Sequence, residues 1–243
     1  MDFFVKALSS PIDPKRFYEL VVAGCRAQHL DDEGMGYFTA VGVGKMIEAA
    51  LEDHLLTDDE LARIVAMTET FDVDAEVMET LTGAHTKLIK ALVLRDLSAG
   101  EITNRTQLVE GFMPNFESGE SPIWSFFPAT YFSQRAKTEY VGASQGVSVR
   151  LAKGMYYRVG AQKGTAIRAN YLSQEAVGAL VLGSRNAYFV APMKAVKIPL
   201  KRIVAVSLFE DGIVLSAGAT TTKPHIFKVD DPTFAANVLA RLH

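Results

Sequence analysis

A single cysteine, Cys25, serves the whole 243-residue chain, so no disulfide can form within it and no cysteine-rich zinc module can be built. Long hydrophobic runs are missing as well. Stretches such as Val177–Leu182 are far too short to cross a bilayer, and no transmembrane helix is expected. The start, Met1-Asp2-Phe3-Phe4-Val5-Lys6, has no positively charged leader region and its apolar run ends at Lys6, so a secretory signal is not expected. Histidine is scarce, and His29, His54, His85, His225 and His243 show no metal-ligand spacing such as H-x-x-x-H. No Ser-His-Asp elbow, paired-carboxylate motif or G-x-G-x-x-G follows a predicted strand. These absences leave no catalytic machinery, cofactor or metal site to expect, and point to a cytoplasmic protein that is not an enzyme.

Apolar residues make up 49% of the chain and charged ones 22%, which excludes a disordered polymer and supplies one large or two ordinary hydrophobic cores. The formal net charge of −3 hides an asymmetry. Residues 1–116 hold 10 of the 25 basic and 20 of the 28 acidic side chains, a net −10, whereas residues 117–243 carry net +7. Halves of opposite sign suit different partners, or one another.

The first half reads as helices. Asp13-Pro14 is a cap acceptor followed by proline at the first helical position, and Phe17, Leu20, Val21 and Gly24 follow at helical spacing. A second helix is expected from about Tyr37 to Leu55, with Ala40, Val43, Ile47, Leu51 and Leu55 on one stripe. Thr57-Asp58-Asp59-Glu60 has the form of a capping box opening a third. The longest helix is expected over Ala75–Leu97, and a short one over Thr103–Phe112. Asp31-Asp32-Glu33 reads as a solvated acidic turn.

Residues 113–122, with two prolines and a glycine, read as a linker between a helical domain (1–112) and a second domain (123–243). Beyond the linker the apolar period changes from 3.6 to 2. Val147, Val149 and Leu151 alternate with polar neighbours, as do Met155, Tyr157 and Val159, and Ala152-Lys153-Gly154 suits a hairpin loop. That register sets Leu151 opposite Met155 and Arg150 opposite Tyr156 on the solvent side. Further strands are expected at Ile123–Phe132, Ala179–Leu182, Ala187–Val190, Ala195–Pro199, Ile203–Phe209, Ile213–Ser216 and Ile226–Val229. Asp231-Pro232 repeats the cap-plus-proline start, and Phe234, Val238, Leu239 and Leu242 form the stripe of a last helix.

Ala179-Leu180-Val181-Leu182, Tyr188-Phe189, the run Val196-Lys197-Ile198-Pro199-Leu200-Lys201-Arg202-Ile203, the turn Asp211-Gly212-Ile213 and the final Asp230-Asp231-Pro232 helix resemble the bacterial PH-like (GRAM-like) domains. The stretches Tyr140–Arg150 and Lys153–Gly160 are similar to a version found in uncharacterised bacterial and phage-associated proteins. The resemblance covers about half the chain. It departs at Asn186, where the family more often has arginine, and at Gly183, where threonine is usual. The fold it implies is α+β: an N-terminal all-α helical bundle followed by a PH-like antiparallel β-barrel closed by a C-terminal helix.

Gly42-Val43-Gly44-Lys45 superficially suits a phosphate loop, but Thr39 and Met46 stand where that motif needs glycine and a hydroxyl, so close helix packing is expected instead. Asp72, Asp74 and Glu76 lack the glycine and distal glutamate of a calcium loop, and Asp74 reads as a helix cap. Cys25 and His29 fall at i, i+4, yet Cys25 lies beside the apolar stripe, as a buried, inert thiol does. One cluster stands out. Arg135, Lys137, Arg150, Lys153, Arg158, Lys163 and Arg168 face a single acid, Glu139, between residues 135 and 168, with Tyr140, Tyr156 and Tyr157 interleaved. The candidate binding face is therefore Arg135, Lys137, Arg150, Lys153, Tyr156, Arg158, Lys163 and Arg168. The resemblance implies a binding role. The expected function is a non-enzymatic binding or scaffold protein that makes protein–protein contacts and self-associates as a homo-oligomer. The alternative is recognition of nucleic acid or anionic lipid by the basic strands.

Overall fold

The computed structural model describes residues 2–9, 13–52, 56–141, 148–152, 155–158, 165–218 and 223–242, and for residue 2 and the strand residues between 136 and 170 it describes the backbone alone. The chain divides into two compact units, Met1–Glu101 and Ile102–His243.

Six helices build the first unit: α1 (Asp2–Ser9), α2 (Pro14–Ala27), α3 (Asp32–Ala50), α4 (Asp58–Thr70), α5 (Ala75–Thr82) and α6 (Ala84–Ser98). The sequence-read caps operate as expected. Asp13 accepts from the Arg16 amide, Thr57 and Glu60 cap reciprocally, and Asp74 accepts from the amides of Glu76 and Val77. Two boundaries differ from expectation. Asp31 accepts from the Gly34 amide at 2.8 Å and starts α3 well before Tyr37. Asp32 and Glu33, expected in a turn, occupy its first turn, where carboxylates meet the positive end of the helix dipole. The expected Ala75–Leu97 helix is broken at Gly83, whose φ of +63° ends α5. Around the break Thr82 Oγ1 accepts from the Ala84 amide, and the Glu79 carboxylate accepts from Thr86 N at 2.8 Å and Thr86 Oγ1 at 2.7 Å. Leu55 lies outside the described residues.

α1 was not expected at all, yet it supplies the centre of the core. Phe4 is fully buried, with the rings of Phe17, Phe38 and Phe71 around it. Met46, Ile47, Ile64, Met67 and Met78 complete that core. The Gly42–Lys45 stretch lies inside α3, so it is no phosphate loop.

The second unit holds β1 (Pro122–Val141), β2 (Ser148–Ala152), β3 (Met155–Arg158), β4 (Thr165–Gly183), β5 (Asn186–Ala191), β6 (Lys194–Pro199), β7 (Ile203–Phe209), β8 (Gly212–Ala217), β9 (His225–Lys228) and α7 (Pro232–Arg241). With seven helices and an antiparallel sheet, the described chain is α+β. Seven strands form one sheet in the order β6-β5-β4-β1-β9-β8-β7, and β2 and β3 pair separately. The hydrogen-bonded sheet is open, which corrects the expected closed barrel. The chain leaves β6 at Pro199, which has no N–H to donate, and turns through a 3₁₀ segment at Leu200–Arg202. β6 and β7 therefore end as two unjoined edges.

One sheet face is covered by α7, which lies against β7 and β8 and sets Phe234 against the rings of Trp124 and Phe126. The opposite face of β4 and β5 is covered by the chain that precedes β1. Leu108, Phe112 and Phe116 lie on Ala179, Val181 and Tyr188. Coverage on both faces explains why Ala179–Leu182 reads as an unbroken apolar run. Residues 103–112, expected as a helix, form no helix because their apolar side chains face the sheet along an irregular path. Residues 113–122, expected as a linker, are fastened to the same sheet.

Candidate functional site

β1 and β4 are the longest strands, running far beyond the expected Ile123–Phe132 and Ala179–Leu182. β9 pairs with β1 only at Thr130–Phe132, and β5 pairs with β4 only from Ala179 onward. From Ser133↔Ser173 to Val141↔Thr165 the two strands pair in unbroken register with each other, without β5 or β9 beside them. They form a two-stranded arm of about 30 Å, from a rise of about 3.3 Å per residue. Its composition hid it: Ser133-Gln134-Arg135-Ala136-Lys137-Thr138-Glu139 has no apolar face to alternate.

The arm has a built root. Between Tyr131↔Ala176 and Phe132↔Gln174 the register shifts, and Glu175 is the extra residue of a bulge on β4. Its carboxylate accepts from Ser133 Oγ at 2.5 Å, from Arg135 Nη2 at 2.8 Å and Nε at 3.1 Å, and from Lys194 Nζ at 3.4 Å. The Lys194 ammonium lies 4.5 Å from the centre of the Tyr131 ring, and the Tyr131 hydroxyl meets His225 Nδ1 at 3.1 Å. Donors from β1 and β6 thus converge on one acid of β4, and β9 joins the cluster through Tyr131. The hydrogen bonds from Ser133 and Arg135, in that order, hold the Glu175 carboxyl at about 2. A carboxylate so weakly basic is a poor general base near neutral pH, and its bond to Ser133 ties β4 to β1 at the root of the arm. Burial pushes the Tyr131 phenol up and the His225 imidazole down, which keeps both neutral.

This root makes a pH prediction. Glu175 ionises at about 2 in the folded protein and at its ordinary 4.5 when unfolded. Its contribution to stability is present above 4.5 and is lost as pH falls from there through 2. Wild type and Glu175→Gln are expected to differ most in melting temperature at pH 6 and to converge only below about pH 2. A constant gap across thermal scans at these pH values would remove Glu175 as the titrating clamp.

The structure distributes the eight candidate residues unevenly. Arg135 is exposed, but Glu175 neutralises it. Lys137 pairs with Ala169 and Arg168 with Thr138 by backbone register along the arm. Arg150 stands opposite Tyr156, as expected, and Arg158 opposite Ser148. Met155 pairs with Ala152 and not with Leu151, because the register shifts between Arg150 and Ala152. Lys153 and Lys163 lie outside the described residues, as does the expected hairpin loop centred on Lys153-Gly154. Sequence reasoning missed Glu175, Ser133, Lys194 and His225, which come from four strands and share no spacing. One signal was legible: Glu175 is the sole acid between Glu139 and Glu210.

A second polar cluster anchors the segment before β1. Glu120 is buried at 9% exposure and accepts from Tyr188 Oη at 2.5 Å, Asn186 N at 2.8 Å, Asn186 Nδ2 at 3.0 Å, and the amides of Arg185 and Glu117 at 3.2 Å. Burial opposes ionisation of Glu120, but the bonds from Tyr188 and Asn186 outweigh it and hold the carboxyl below its ordinary range. Burial, with Glu120 beside it, pushes the Tyr188 phenol to about 12. Both departures from the family resemblance fall here. Asn186 donates twice to Glu120, and a Cβ on Gly183 would stand 2.6 Å from Glu120 Oε1.

In the helical unit, α2 ends at Ala27 and His29 takes a left-handed φ of +57° beyond it, so Cys25 and His29 do not share a helix face. Burial raises the Cys25 thiol. No group of three or more His, Cys, Asp or Glu able to hold a metal occurs among the described residues, and none of the described helices is long and apolar enough to cross a membrane. No protein-family model matches the chain, and no curated protein matches it either.

Proposed function

We propose that this protein is a non-enzymatic binding and scaffold protein. In this reading its C-terminal unit is a PH-like module, and its basic arm engages an acidic protein surface, first of all the acidic helical unit of a second copy. The observation that carries the reading is the arm. A paired extension of β1 and β4 leaves the sheet, carries Arg135, Lys137 and Arg168 with Glu139, and is clamped at its base by Glu175, while Arg150 and Arg158 of the same basic stretch lie on the separate β2–β3 ladder. The succession of seven sheet strands and a final helix supports the PH-like reading, as does α7 lying over one sheet face. A helical unit of opposite charge offers a head-to-tail contact between copies.

Arg150→Glu with Arg158→Glu reverses two charges on the hairpin. With both residues on the solvent side, where the sequence register expects them, such changes move stability by about 0.5 kcal/mol or less. Self-association acts through several charges at once and is screened by salt, so it is expected to weaken about tenfold at low ionic strength. Light scattering after gel filtration, at low and high salt, measures this. A variant that folds and associates like wild type sinks the reading. A monomeric wild type that binds a DNA oligonucleotide or anionic vesicles, and loses that binding in the double variant, transfers the arm to a polyanion instead.

A further inference from the structure

The helical unit contains a feature that neither its core nor the arm uses. Between α1, α2 and the start of α3 lies an open cavity of about 910 Å³. Sites for small organic molecules span roughly 300–1,000 Å³, mostly apolar with a few convergent polar groups. The walls here are the rings of Phe3, Phe17 and Phe38 with Leu20, Val21 and Leu30. Three of them keep much of their apolar surface exposed: Leu20 at 64%, Phe3 at 39% and Leu30 at 39%. A helix face meant only for water would not gather these side chains around one hollow.

The polar groups at the mouth have one prevailing sign. Lys6 and Arg16 line the cavity, are exposed and have no ion-pair partner among the described residues. Asp13 also lines it, but its carboxylate is directed to the Arg16 backbone amide as the cap of α2. In a half of the chain that is strongly acidic, two cations over an apolar slot are a local reversal of charge. Gly24, midway along the α2 wall, adds a second observation. A Cβ there would meet no atom within 4 Å, although glycine inside a helix costs about 1 kcal/mol relative to alanine. Gly24 is exposed and lines the cavity.

We propose that this cavity binds a single-chain amphiphile with an anionic head, of the long-chain fatty acid class: the alkyl chain lies along Phe17, Leu20 and Gly24, and the carboxylate meets Lys6 and Arg16. Charge complementarity selects this occupant over an acyl alcohol, which has the same chain and no charge.

The probe is cis-parinaric acid, titrated against the full chain by fluorescence, with palmitate and hexadecanol as competitors. Saturable binding at one site per chain is expected, with palmitate displacing the probe at least tenfold better than hexadecanol. A Cβ at Gly24 meets no neighbour, so Gly24→Leu is expected to occupy the slot and abolish binding while circular dichroism and melting stay near wild type. Lys6→Glu with Arg16→Glu is expected to remove the preference for palmitate over hexadecanol. Absence of saturable binding, or binding indifferent to Gly24→Leu, overturns the proposal. So does a dimer in light scattering that Gly24→Leu dissociates, since the hollow would then belong to a second copy. If Gly24→Leu fails to fold, Gly24→Val and the charge-reversed pair carry the same decision.

Discussion

Glu120→Ala is expected to lower the stability of the C-terminal unit by about 3 kcal/mol, because it removes an acceptor shared by five donors. Asn186 and Tyr188 are buried at 3% and 4% exposure, so their donors would lose the carboxylate away from bulk water. Segment 102–121 would lose its buried polar anchor and keep the apolar contacts of Leu108, Phe112 and Phe116, with the bonds of Ser118 to Arg185, Ser121 to Ser184 and Glu117 to Lys197. Gly183→Ala acts on the same carboxylate, since its new Cβ would stand 2.6 Å from Oε1. The two changes are therefore coupled: Gly183→Ala should cost clearly less in the Glu120→Ala background than in wild type. Urea unfolding followed by tryptophan fluorescence reads this unit, because Trp124, the only tryptophan, lies on β1. Additive losses would show that Glu120 and Gly183 do not share a site.

Gly42→Leu is expected to destabilise the helical unit by about 3 kcal/mol, at the upper end of overpacking costs. A Cβ at Gly42 would stand well inside contact distance of Phe4 Cε2, and Phe4 is fully buried among four other rings, so it cannot swing aside. The gain in helix propensity on leaving glycine is about 1 kcal/mol and does not offset the clash. Phe4→Ala opens space at that point, so the double variant should be more stable than the sum of the single losses predicts. Far-ultraviolet dichroism through a urea titration measures it. A Gly42→Leu protein as stable as wild type would mean that α1 does not rest on α3 at Phe4.

The parts of this fold legible in the sequence are those set by neighbours along the chain. Asp13-Pro14, Thr57–Glu60, Asp74 and Asp231-Pro232 each start a helix, because a cap needs only a side-chain oxygen and an amide two or three residues away. The β5, β6, β7 and β8 strands were legible too, since their alternation or apolar runs are local. Reading failed where the decisive contact was distant or the local signal was weak. The Ala75–Ser98 stretch has an apolar stripe throughout, yet Gly83 breaks it, and Glu79 accepts across the break from Thr86. Segment 103–112 has helical spacing, but Leu108 and Phe112 are taken by the outer face of the sheet.

The candidate site divides in the same way. Sequence alone determined that the charge is split between halves, that the basic residues crowd into 135–168, and that Arg150 stands opposite Tyr156, because composition and hairpin register are properties of a short stretch. Only the tertiary structure decided that Arg135, Lys137 and Arg168 follow strands reaching beyond the sheet, and that Arg135 is neutralised by an acid forty residues away on β4. The same holds for the open sheet, whose edges β6 and β7 depend on which strands find hydrogen-bond partners. A salt bridge or a strand pairing between remote segments leaves no period in the sequence. It is fixed by where the apolar faces settle, and charges such as Glu175 then meet the partners that the settled backbone brings to them.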